Sequence, residues 1–242
     1  MRNRLFGIVR LEWRRQLLGF RVVWLLALAA LPVALTVGMV LVHMKLAPEG
    51  ELRGQVPREE LANLYHGLMV RVVLFFGSLA LFMGLVRGEV EQRSLHYYFL
   101  SPTPRWVVVV GKYLAALALG WALFVPATVL SMAAAYYPGG LGRLLRPPGS
   151  SELLAYVGMT MLGCAAYGAL FLAVGTLLRG PGYVVALLFL WEWLHFLLPP
   201  LLKQLSVVHY LRALTPVPIS EGPFALLADP KPVPLVVLQL LL

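Results

Sequence analysis

Long apolar runs dominate the chain, and the polar positions fall between these runs instead of alternating within them. Residues 22–42 carry no charge, 68–86 carry only Arg71, and 113–137 contain Pro126 but nothing ionised. Residues 153–178 are uncharged and rich in Gly and Ala, and 183–202 hold a single carboxylate, Glu192, near their middle. A hydrocarbon core of about 30 Å is crossed by about 20 helical residues at 1.5 Å each, so each run predicts a transmembrane helix. A sixth run occupies 233–242, the last residue being Leu242. A run of that length reaches only about 15 Å as a helix. The expectation is a sixth span cut short at the C-terminus, with five spans and a re-entrant tail as the alternative. The predicted fold class is therefore an all-α polytopic membrane protein, one transmembrane domain over 1–242.

Residues 1–20 have a different pattern. Leu5, Phe6, Ile8, Val9, Leu11, Trp13, Leu17 and Leu18 are interleaved with arginines. That spacing predicts an amphipathic elbow helix lying on the membrane surface. A plain positively charged anchor is the simpler alternative. The basic stretch and the apolar run after it are both too long for a cleaved signal peptide.

Composition agrees with the pattern. Hydrophobic residues make up 60% of the 242 and charged residues 13%, with a mean hydropathy of +0.80. A soluble domain has about 25% charged residues, so a soluble enzyme is excluded. The net charge of +9 does not indicate a nucleic-acid partner, because the basic residues flank apolar runs instead of forming one soluble face. The single cysteine, Cys164, lies inside an apolar run and reads as a packing residue.

Charge also sets the orientation. The N-terminal segment and the links after the second and fourth runs together hold eleven basic residues against three acidic, a net of +8. The opposite face holds eight against seven, a net of +1. The positive-inside rule then puts the N-terminus in the cytoplasm; the expected location is the inner membrane of a bacterial or archaeal cell. The loops at 44–65, 138–152 and 203–232 are outer, and Arg58-Glu59-Glu60-Leu61 in the first of them is a plausible helix start.

The link between the second and third spans is the most informative stretch. Glu89, Glu91 and Arg93 precede Leu95, Tyr97, Tyr98, Phe99 and Leu100; Ser101, Pro102 and Pro104 follow, then Arg105 and the Gly111-Lys112 pair. A short helix ending at a Pro-rich turn, bracketed by two spans, makes a projection able to receive force from a soluble partner. This stretch resembles the type-2 ATP-binding-cassette (ABC) transporter permease family. That family has an acidic pair, a basic residue, a Leu-rich turn, Ser-x-Pro-x-x-Arg, and Gly-Lys opening the third span. Here Ser94-Leu95 stands for the usual Thr-Leu, and Tyr97, Tyr98 and Phe99 replace some of the leucines.

The resemblance implies the membrane subunit of an exporter. Two such subunits, as a homo- or heterodimer, would form the translocation path above two separate ATPase subunits. The segment 88–104 would be the coupling helix, and Glu89, Glu91 and Arg93 would make charge contacts with the ATPase. ATP and magnesium would be bound by that partner, with no cofactor, metal or catalytic residue in this chain. The sequence supports this division: at 106–113 the nearest approach to a phosphate-binding loop has Trp106 where Gly is needed and Tyr113 where Ser or Thr is needed. The cargo is not legible.

Glu192 and His195 share a helix face by spacing and are candidates for a substrate or ion contact. The alternative is a structural hydrogen bond between spans. Arg71, one turn inside the outer end of its run, is expected to snorkel to the interface. Ala165, Ala169 and Ala173, with Gly168 and Gly175 nearby, suggest close helix packing. Two other functional classes compete: a secondary transporter or channel without an ATPase, for which no inverted repeat is evident, and an intramembrane protease. Glu192 and His195 alone supply too few ligands for zinc.

Overall fold

The structure is a computed structural model and describes residue 13 and residues 21–46, 56–85, 104–178, 181–194 and 199–217. Among these the chain is all helical, and four helices are long and apolar enough to cross a membrane. We label them α1 (Arg21–Leu46), α2 (Arg58–Phe82), α3 (Arg105–Tyr136) and α4 (Gly149–Leu177). A shorter apolar helix, α5 (Gly182–Trp193), and two short ones, α6 (Pro200–Lys203) and α7 (Val207–Ala213), follow. The expected runs at 1–20 (Trp13 excepted), 88–103 and 233–242 lie outside the described residues.

Helices α2, α3 and α4 form the core, and α1 packs along α3. The contact is close because glycine removes side-chain bulk where helices meet. A Cβ on Gly175 would lie 2.6 Å from the Met83 carbonyl oxygen, and one on Gly168 would lie 2.6 Å from the Phe82 ring. Gly163, Gly168 and Gly175 of α4 therefore face α2 and the residue that follows it, while Ala169 and Ala173 face outward. Cys164 is fully buried at the α3 contact, where a Cβ on Gly120 would meet its sulfur. Phe75 of α2 is the aromatic hub: its ring centroid is 5.0 Å from Phe171, 5.6 Å from Tyr167 and 5.4 Å from Phe189. The last contact docks α5 on the core.

Hydroxyl groups of four helices pair inside the bundle. The Tyr65 hydroxyl donates to the Tyr156 carbonyl at 2.6 Å and lies 2.6 Å from Thr160 Oγ1. Thr160 Oγ1 in turn lies 2.8 Å from Thr128 Oγ1. One hydroxyl chain thus ties α2, α3 and α4. A second contact, Thr36 Oγ1 to Ser131 Oγ at 2.9 Å, ties α1 to α3. In a lipid surround these groups have no water to fall back on, so pairing is the condition of burial.

Two helix starts differ from the sequence expectation. α2 begins at Arg58, ten residues before the expected 68, with Pro57 as N-cap and Glu59 and Glu60 in the first turn, where carboxylates complement the helix dipole. Arg71 consequently sits well inside α2, within a π-helical segment, Tyr65–Leu74, and its Nε is shielded from solvent. α3 begins at Arg105 behind the N-cap Pro104, eight residues before the expected 113. A third difference is α5, which stops at Trp193 after 12 residues instead of continuing to 202. Pro199 and Pro200 disfavour helix across that point.

Candidate functional site

The root of the link between the second and third runs is built by α2 and α3. Lys112, two turns into α3, is only 1% exposed, and its Nζ donates to the Leu85 carbonyl at 3.1 Å. Leu85 lies three residues beyond Phe82, the last residue of α2, in a stretch that is again helical. A buried ammonium there fastens the two helices at the points where the link leaves and returns. Gly111 is buried beside it. The resemblance places the Gly-Lys pair at the opening of the third span; in the structure the pair lies two turns inside α3, with the Leu85 carbonyl as partner of Lys112. Arg105 is the first residue of α3. Glu89, Glu91, Arg93, Leu95, Tyr97, Tyr98, Phe99, Leu100, Ser101 and Pro102 lie outside the described residues. Nearby, Trp13 Nε1 donates to the Ala115 carbonyl at 2.8 Å, which pins one point of the N-terminal segment to α3.

Glu192 lies in the last turn of α5, not in the middle of a long span, and is 4% exposed. Its carboxylate closes the N-terminus of α7. Ser206 Oγ donates to Oε2 at 2.7 Å, Val207 N to Oε1 at 3.0 Å, and Val208 N to Oε2 at 3.2 Å. Orphan amides at a helix start favour a negative acceptor, so the carboxylate is held by three donors and a dipole. Ser206 is itself the N-cap of α7, its Oγ accepting from His209 N at 3.4 Å. The Tyr167 hydroxyl lies within electrostatic reach of both Glu192 and Arg71. This geometry makes Glu192 a cap of α7. Its sequence partner His195 lies outside the described residues. The signal available in the sequence was Ser206 ahead of an apolar stretch, a helix-start pattern.

The opposite end of the bundle carries a cavity of about 600 Å³. Arg58, Arg143 and Arg146 line it together with Tyr136 and apolar Val56 and Leu61. Glu152, 5% exposed in the first turn of α4, holds this end together: Tyr136 Oη donates to its Oε2 at 2.6 Å, and Arg58 Nε lies 3.3 Å from its Oε1. His43 Nε2 and Glu60 Oε2, 3.4 Å apart, link α1 to α2 at the same end. Sequence reasoning assigned Arg58, Glu60, Arg143, Arg146 and Glu152 to outer loops and Tyr136 to the third span, without pairing them, because none of the pairs is close in the chain.

Among the described residues no group of three or more His, Cys, Asp or Glu side chains is placed to hold a metal. No protein-family model matches the chain, and no curated protein matches it.

Proposed function

We propose that this chain is the membrane-spanning permease subunit of a type-2 ABC exporter, driven by a separate ATPase and paired with a second permease subunit. The observation that carries the reading is the Lys112 bond to Leu85. The Gly-Lys pair of the family-like motif sits at the root of the link that carries the rest of that motif. A projection transmits force only if its base is stiff. The buried ammonium supplies stiffness by joining the end of α2 to the start of α3, so a push on the link moves both helices. The four long apolar helices suit a translocation subunit in a cell membrane. In the proposal they are joined by a fifth and a sixth span and by the elbow helix, with the N-terminus in the cytoplasm.

ATP and magnesium belong to the partner, which would seat the segment 89–100 in a surface groove. Tyr97, Tyr98 and Phe99 would supply the apolar contact, and Glu89, Glu91 and Arg93 the charged rim. Aromatic residues near the centre of an interface carry much of its energy, and rim charges set pairing more than affinity. The test is single cysteines at each position from 89 to 100, with Cys164 replaced by Ala, co-expressed with a candidate ABC ATPase subunit from the same organism. Crosslinks to the ATPase at helical spacing are expected. Crosslinks through a different cytoplasmic segment and none through this one would refute the assignment.

A further inference from the structure

We propose that the cavity where α2 and α4 begin binds the phosphate headgroup of an anionic lipid. The inference rests on the bundle alone and holds or fails independently of the exporter reading. About 600 Å³ is within the range of small-ligand pockets. Arg58 is committed through Nε to Glu152, but Arg143 and Arg146 are exposed and pair with no carboxylate among the described residues. Glu59 and Glu60, in the first turn of α2, do not line the cavity, and Glu60 faces His43. Among the described residues the one carboxylate bound to a lining residue is Glu152, and its two oxygens are taken by Arg58 and Tyr136. The arginines face the space with positive charge in excess, and guanidinium forks match phosphate oxygens. The starts of two long helices at the same place add to the positive potential.

The neighbouring side chains indicate a lipid and not a free anion. The loop that carries the arginines also exposes Tyr137 at 67%, Leu141 at 48% and Leu145 at 76%. Leu141 and Leu145 flank Arg143 in the sequence. Exposed leucines beside arginines are costly in water but suit a loop at the membrane interface, where acyl chains cover the leucines and headgroups meet the arginines. Tyrosine at headgroup level fits the same placement. In the orientation derived from charge, this is the outer leaflet.

The experiment uses the full chain, purified in detergent and stripped of lipid. Its thermal unfolding and ligand affinity are followed with added phosphatidylglycerol, phosphatidylcholine or inorganic phosphate. The expected result is a rise in Tm with phosphatidylglycerol and a much smaller one with the other two. R143Q/R146Q should weaken phosphatidylglycerol binding at least ten-fold while its lipid-free Tm stays within about 2 °C of the native chain, since exposed substitutions of this kind change stability little. If the double variant does not fold, Arg146→Gln alone is read the same way, with at least a three-fold loss expected. The proposal is overturned if phosphatidylglycerol gives no rise, if the rise is unchanged in the variants, or if phosphatidylcholine gives an equal one. An equal rise with inorganic phosphate also overturns it, in favour of a free anion.

Discussion

Replacing Glu192 by Ala should destabilise the protein by about 3 kcal/mol, through the start of α7. The carboxylate accepts from Ser206 Oγ, Val207 N and Val208 N at 2.7, 3.0 and 3.2 Å and is 4% exposed. Hydrogen bonds to a charged group contribute about 1.5–3 kcal/mol each, and stranding buried donors costs about 1–3 kcal/mol. The three bonds share one acceptor and are not additive. The Ser206 cap to His209 N also survives in part, which holds the total near the lower end. For a chain of this size about 1 kcal/mol moves Tm by roughly 2–4 °C, so Glu192→Ala should unfold about 6–12 °C lower. Glu192→Gln keeps an amide oxygen as acceptor but turns an NH₂ toward a donor, and should lose about half as much. The assay is thermal unfolding in detergent combined with hydrogen exchange, in which the Val207 and Val208 amides should exchange faster in both variants. A Glu192→Ala protein within 2 °C of the native one, with those amides still protected, would refute the capping argument and restore the ligand-contact reading.

Other outcomes follow from the same geometry. Gly175→Ala places a methyl group against the Met83 carbonyl, a backbone atom that cannot swing aside, and should cost about 1–3 kcal/mol in thermal unfolding. Tyr65→Phe removes the hydroxyl shared with Tyr156 and Thr160 and should cost about 1–2 kcal/mol, while Tyr183→Phe, at an exposed site, serves as an unaffected control. Lys112→Ala strands the Leu85 carbonyl and empties a buried volume, for a loss of about 2–4 kcal/mol together with faster exchange where α2 ends. For topology, a cysteine at Gly54 should react with an impermeant thiol reagent in intact cells and one at Ser94 should not. Cys164 is fully buried, so background labelling should be low.

Length of apolar run was enough to specify four of the membrane helices, because a helix is the local answer to burying backbone in lipid and needs no distant partner. The helix start at Arg58 was legible for the same reason, Pro57 and the two following glutamates being local signals. What charge does inside the bundle was not legible. Lys112, Arg71 and Glu192 were each read against water or the bilayer midplane, since a lone sequence offers no other partner. The fold supplied partners 27 residues from Lys112 and 14 to 16 residues from Glu192. The cavity arginines show the same limit. Arg58 opens α2 and Arg146 lies in the loop before α4, far apart in sequence, and only the packing of α2 and α4 on α3 brings them to one end of the bundle. Sequence determined where this chain meets lipid, because hydrophobicity is a property of each residue; tertiary structure decided what its buried charges do, because a charge is defined by what lies opposite it.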